Sequence, residues 1–190
     1  RNPGAVDPDG APVYPGLHKY LTAREISERM GRGEPFALRL DMARALARAR
    51  EITGGASLTY EALDAEGRSS TVTALPERWG DAVIVRKDVP ASYHLAVVLD
   101  DAFQGVTHVT RGRDLEAATD LHRLLQILLG LPAPRYHHHA LISDASGRKL
   151  SKSAKDTSLS QLRCAGATAD DIRRQLAPFL PRPKAPLISR

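Results

Sequence analysis

The sequence predicts an α/β domain built on a parallel sheet, and three observations carry that reading. "GVTHVTRG" (105–112) is rich in β-branched residues and ends on Arg-Gly, as a buried strand would. "DLEAATDLHRLLQILLG" (114–130) follows with helical periodicity: Leu121, Leu124, Leu125, Leu128 and Leu129 share one face, and Gly130 and Pro132 end it. "RYHHHALIS" (135–143) then reads as another strand. Strand, helix, strand in this order implies a right-handed crossover between parallel neighbours.

The remaining elements follow along the chain. "RNPGAVDPDGAPVYPG" (1–16), rich in Pro, Gly and Asp, reads as an exposed loop and lacks the apolar core of a signal peptide. "LTAREISERMGRG" (21–33) carries a capping box, Thr22 with Glu25, and closes on Gly31 or Gly33. "PFALRL" (35–40) alternates like a half-buried strand, and "DMARALARAREI" (41–52) has helical period up to the Gly54-Gly55 break. "SLTYEAL" and "STVTAL", joined by "DAEGRS", read as a hairpin. "DAVIVRKD" (81–88) and "HLAVVLDD" (94–101) are nearly continuous apolar runs, which suit strands, or a buried helix segment, covered on both faces. "SLSQLRCAG" and "TADDIRRQLAPFL" read as short helices, the second capped by Thr168 with Asp171, before a proline-rich tail.

Composition narrows the class. Lys and Arg number 27 against 22 Asp and Glu, a net charge of +5, which suits a polyanionic partner without specifying one. A single cysteine, Cys164, excludes an internal disulfide framework and suits a reducing cytoplasm; within "QLRCAG" it reads as a small buried hydrophobe. No apolar run approaches the length of about 18 residues that a spanning helix needs. The chain opens on Arg1 rather than Met, so the expectation is that natural sequence precedes it.

Four segments hold candidate chemistry. "GRKLSKSAKD" (147–156) offers Lys149, Ser151, Lys152 and Ser153 on a glycine-led loop, either as a solvated basic turn or as a phosphate-handling loop. Arg111, at the carboxyl end of a predicted strand, sits where ligands bind in open α/β sheets; its two readings are a bidentate partner for a carboxylate and a surface pair with Asp114. Tyr93 either packs or offers its hydroxyl to the same crevice, and Asp100 and Asp101 either cap a strand or hold a ribose, an ammonium group or a metal. In "YHHHA", His137 and His139 share a strand face and His138 points away, with no further ligand cluster, so the run reads as no metal site.

Taken in order, "SYHLAVVLDDAFQGVTHVTRGRDL" and "LLQILLGLPAPRYHHHALISDASGRKLSKS" resemble the class I aminoacyl-tRNA synthetases of the glutamyl group over residues 80–155. "KLSKS" is similar to the family's ATP-binding signature loop, and "YHLAVVLDD" and "GVTHVTRG" to strands flanking its amino-acid pocket. "RDL" after Arg-Gly, "YPGLHK" (14–19) and an end soon after the loop point to the branch that glutamylates queuosine in tRNA(Asp). The resemblance implies the C-terminal half of a Rossmann-like catalytic domain with an inserted α+β acceptor-binding subdomain. Residues 1–78 would be that insertion, 79–157 the second half of the catalytic domain, and 158–190 a helical appendage.

The activity so implied is tRNA-independent activation of L-glutamate by ATP with Mg²⁺, then transfer to the queuosine base of tRNA(Asp), by a cytoplasmic monomer. Tyr93 and Arg111 would contact glutamate; Lys149, Ser151 and Lys152 would meet the ATP phosphates, with Lys152 catalytic. The alternatives are a fragment of a glutamyl- or glutaminyl-tRNA synthetase, or a non-catalytic nucleotide- or RNA-binding relative. Two departures stand out. The family's His-x-Gly-His phosphate signature is absent, so the expectation is that it lies upstream of Arg1. Of the family's zinc ligands, only Tyr14 matches, with His18 where a cysteine is expected; Zn²⁺ would then need thiolates from upstream.

Overall fold

The computed structural model describes residues 4–144, 146–150 and 157–179. Helix α1 (Ala23–Gly31) opens on the predicted capping box: Glu25 N–H donates to the Thr22 hydroxyl and Thr22 N–H to the Glu25 carboxylate. Of "PFALRL", only β1 (Leu38–Arg39) is strand, because it meets a short partner. Helix α2 (Met42–Ile52) follows, N-capped by Asp41. Strands β2 (Thr59–Leu63) and β3 (Ser69–Thr73) form the expected antiparallel hairpin. A 3₁₀ turn at Pro76–Trp79 leads to β4 (Val83–Val85), which pairs with β1 in a separate two-stranded ribbon.

The largest correction concerns residues 94–101. Of the two readings of this run, strand or buried helix, the helix is realised: they belong to α3 (Tyr93–Phe103), and the likeness of "YHLAVVLDD" to a pocket-flanking strand fails. Local chemistry decides against the apolar run. Ser92 caps the start, its hydroxyl accepting from Leu95 N–H. At the other end Gly105 sits at φ +66°, and the N–H groups of Gly105 and Val106 donate to the carbonyls of Ala102 and Asp101. That pair of bonds is a Schellman ending, which needs the left-handed conformation glycine adopts freely. Tyr93 and "YHLAVVLDD" are therefore helical.

Strand β5 (His108–Gly112), helix α4 (Ala118–Leu129) and strand β6 (Arg135–His139) realise the predicted crossover, with β5 and β6 parallel and Arg111 beside His138. A 3₁₀ turn at Arg113–Leu115 takes up the first residues of the expected 114–130 helix. Strand β6 also pairs in parallel with β2, giving the order β3-β2-β6-β5. The hairpin from residues 1–78 thus shares one sheet with the strands of 79–157. Helices α5 (Leu159–Cys164) and α6 (Ala169–Leu176) both open on capping boxes. Cys164 is exposed rather than buried.

Helix α4 is the centre of packing, with nine of its twelve residues buried. Its Leu121, Leu124 and Leu125 meet Met42, Ala45 and Ala49 of α2, Val98 of α3, and Tyr60 and Tyr136 of the sheet in one core. Each fully buried leucine contributes about 1.5–3 kcal/mol. Leu129, expected on the same face, lies at the helix end and is 46% exposed. Polar ties fix the helix further. Arg123 donates to the Thr59 carbonyl of β2 at 2.6 Å, Trp79 Nε1 donates to the Ala117 carbonyl, and buried Asp120 pairs with Arg78.

Candidate functional site

The crossover delivers Arg111, at the carboxyl end of β5, to the face of α4 and to its neighbour on β6. Three of its donors are engaged. Nε donates to His138 Nε2 at 3.3 Å, one η nitrogen to His122 Nδ1 at 3.2 Å, and the other to Thr119 Oγ1 at 2.7 Å. The Tyr136 ring backs the guanidinium, 5.3 Å from Cζ to centroid. A guanidinium has five N–H groups, so one remains on each η nitrogen, the spacing that grips a carboxylate. Among the described residues no carboxylate forms an ion pair with Arg111. Asp114, its alternative partner, pairs with Lys149 instead.

Burial disfavours the charged form of the surrounding histidines. Burial, then the Arg111 charge, pushes His122 down to about 3 and His138 down to about 4 from an ordinary 6.5; burial lowers His94 as well. Burial pushes the Asp101 carboxyl of α3 up, against the pull of Arg111. Tyr93, half-exposed at the start of α3, sets its ring against His94 and His122, with centroids 5.6 and 5.9 Å apart. Its ring thus packs on His122, the same imidazole that faces Arg111.

These depressed histidines give a pH prediction. An unfolded chain takes up their protons near pH 6.5, while the folded chain refuses them until about pH 4 and 3. The unfolded state binds more protons in that window, so stability is complete above about pH 6.5 and falls as pH drops through it. The urea midpoint is expected to decline from about pH 7.5 to 5.5 at constant m. A flat midpoint there would show that the folded histidines titrate normally.

The sequence offers Tyr93 and Arg111 as candidates, weighs His138 only as a metal ligand, and gives no role to Thr119, His122 or His94. The signal for them was present. Thr119 and His122 are three apart on one helix face, and a parallel β5–β6 pair puts the middle histidine of "HHH" beside Arg111.

The basic loop begins in a well-formed turn. Asp144 Oδ1 accepts from the N–H groups of Ser146 and Arg148, both at 3.0 Å, and Gly147 takes φ +84°. Lys149 bridges back to Ser143 and forms its ion pair with Asp114, whose carboxyl it holds below the usual range. A Cβ at position 112 would collide with the Asp114 carboxylate, so the Arg-Gly glycine makes room for this clamp. Ser151, Lys152 and Ser153 lie outside the described residues.

Tyr14 and His18 are brought together, the Tyr14 hydroxyl accepting from His18 N–H at 2.7 Å and lying 3.2 Å from His18 Nδ1. Among the described residues no third ligand-type side chain joins them in a metal-sized group. Two mutually bonded side chains do not fit a four-coordinate zinc site by themselves.

Residues 11–182 match the model for tRNA synthetases class I (E and Q), catalytic domain. The chain is 45% identical over 173 residues to a glutamyl-Q tRNA(Asp) synthetase of Rhodobacter capsulatus, covering 89% of this chain and 57% of the relative. It is 34% identical over 172 residues to one from Symbiobacterium thermophilum, covering 87% and 47%. The chain thus spans about half the length of these curated relatives. A solved glutamate tRNA ligase from Elizabethkingia meningosepticum, in complex with its amino acid, superposes with a TM-score of 0.50 at 25% identity, over 76% of this chain and 27% of that one.

Proposed function

The chain belongs to the tRNA synthetases class I (E and Q) catalytic-domain family, and we propose that it supplies the amino-acid pocket of an enzyme that activates glutamate. One observation carries the reading: a half-buried guanidinium, free of carboxylates among the described residues, keeps two N–H groups for a ligand. The cation keeps its charge for an anion, and a glutamate side-chain carboxylate matches its fork. Tyr93 borders the bound amino acid.

In the proposed reaction a glutamate α-carboxylate oxygen attacks the α-phosphorus of ATP. The bond to the bridging oxygen breaks, and pyrophosphate leaves with the electron pair. Lys149, Ser151 and Lys152 meet the phosphates, Lys152 acting where charge gathers on the leaving group. Magnesium arrives with the nucleotide as part of the substrate. Lys149 reaches phosphate by exchanging Asp114 for it. The glutamyl group then passes from the adenylate to the queuosine base of tRNA(Asp), and AMP leaves with the electron pair of the broken bond; the two relatives above carry the name glutamyl-Q tRNA(Asp) synthetase. The enzyme works as a cytoplasmic monomer. Among the described residues no helix is long and apolar enough to cross a membrane.

Pyrophosphate exchange tests this in the full-length natural protein that contains the chain. Exchange dependent on L-glutamate and ATP, without tRNA, is expected, followed by labelling of queuosine-bearing tRNA(Asp). Exchange that appears only with tRNA would mark an ordinary glutamyl-tRNA synthetase. No exchange under either condition would leave a non-catalytic relative.

A further inference from the structure

Arg111 is held by groups that are themselves held. Because a guanidinium only donates, the His122 Nδ1 and His138 Nε2 facing it must be unprotonated. A neutral His122 then carries its proton on Nε2, and that nitrogen lies 3.1 Å from His94 Nδ1, so it donates there. His94 in turn keeps its proton on Nε2. On the other side the Thr119 hydroxyl accepts from Arg111 and lies 3.1 Å from His138 Nε2, the nitrogen that accepts from Arg111 Nε, which leaves His138 protonated on Nδ1. The ring protons of His122, His94 and His138 thus have one consistent arrangement.

We infer that His122 and His94 are positioning residues, two neutral imidazoles in series that fix the plane of the Arg111 guanidinium and aim its two free N–H groups at one carboxylate. The inference rests on the reading of Arg111 as the glutamate-binding residue. Histidine suits the task better than the usual arginine partners. An aspartate or glutamate at position 122 would also orient the guanidinium, but it would cancel its charge and compete with the ligand. A neutral nitrogen acceptor holds the cation and leaves its charge for the substrate. The relay enters from α3, through His94, whose ring also rests edge-on against Trp79 at 5.0 Å in the core. The aim of Arg111 is therefore anchored to packing rather than to solvent.

The test compares two substitutions of similar size in the full-length protein. His122→Leu removes the acceptor and is expected to raise KM for glutamate about ten- to hundredfold, with KM for ATP unmoved. His122→Asn places a carbonyl oxygen near Nδ1 and is expected to retain most of the glutamate affinity. Equal glutamate KM in the two variants overturns the relay. A second measurement needs no variant: ¹⁵N imidazole shifts at neutral pH are expected to show Nε2–H for His122 and His94 and Nδ1–H for His138. An imidazolium, or Nδ1–H on His122, overturns it. Arg111→Ala separates the two claims. If glutamate KM survives that change, the reading of Arg111 fails; if it is lost while the His122 variants agree, the relay alone fails.

Discussion

Arg111→Ala is expected to abolish glutamate-dependent pyrophosphate exchange. Truncating one partner of a desolvated charge pair costs about 2–5 kcal/mol, roughly thirty- to several-thousandfold in kcat/KM. The loss should fall on glutamate, because among the described residues the guanidinium bonds to Thr119, His122 and His138 and to none of the loop that carries Lys149. Arg111→Lys should rescue little. A single ammonium cannot hold three neighbours and still present a two-pronged face to a carboxylate. An unchanged glutamate KM in the alanine variant would sink the assignment of Arg111.

The largest stability effect is expected at Leu121→Ala. Leu121 is fully buried where α4 meets α2 and α3, and such truncations cost about 2–5 kcal/mol through lost transfer energy and the cavity left behind. For a chain of this size the melting point should fall by on the order of 10 °C. Leu129→Ala, at the exposed end of the same helix, should cost much less. The contrast matters for the pocket because Thr119 and His122 flank Leu121 on α4. Thermal unfolding of both variants is the check. Equal shifts would mean that α4 is not packed as described.

Elements with local signatures were legible in the sequence. The β5–α4–β6 crossover followed from its two periodicities, the hairpin from its turn, and α1 and α6 from paired capping residues. Helix α3 was not, because eight apolar and charged residues in a row carry no clear period, and the decisive groups, Ser92 and Gly105, lie outside the run. Arg111 and Tyr93 could be proposed from position along the chain. The histidines around Arg111 could not, since their roles depend on strand register and on which ring nitrogen carries each proton. Asp114 illustrates the same limit: the sequence offered it to its near neighbour Arg111, and the fold gives it to Lys149, brought back by the turn at Asp144.

The sheet order has a kinetic consequence. Arg111, Thr119, His122 and His138 all lie within one strand-helix-strand stretch, whereas β2 reaches β6 from 74 residues upstream, where His137 Nδ1 meets the Leu63 carbonyl. Closing so long a loop delays the β2–β6 contact relative to neighbours close in sequence. The grip on Arg111 can therefore assemble early, as a local unit, with the hairpin docking onto it afterwards. Pulse-labelled amide exchange would see this as protection in β5 and β6 that precedes protection in β2.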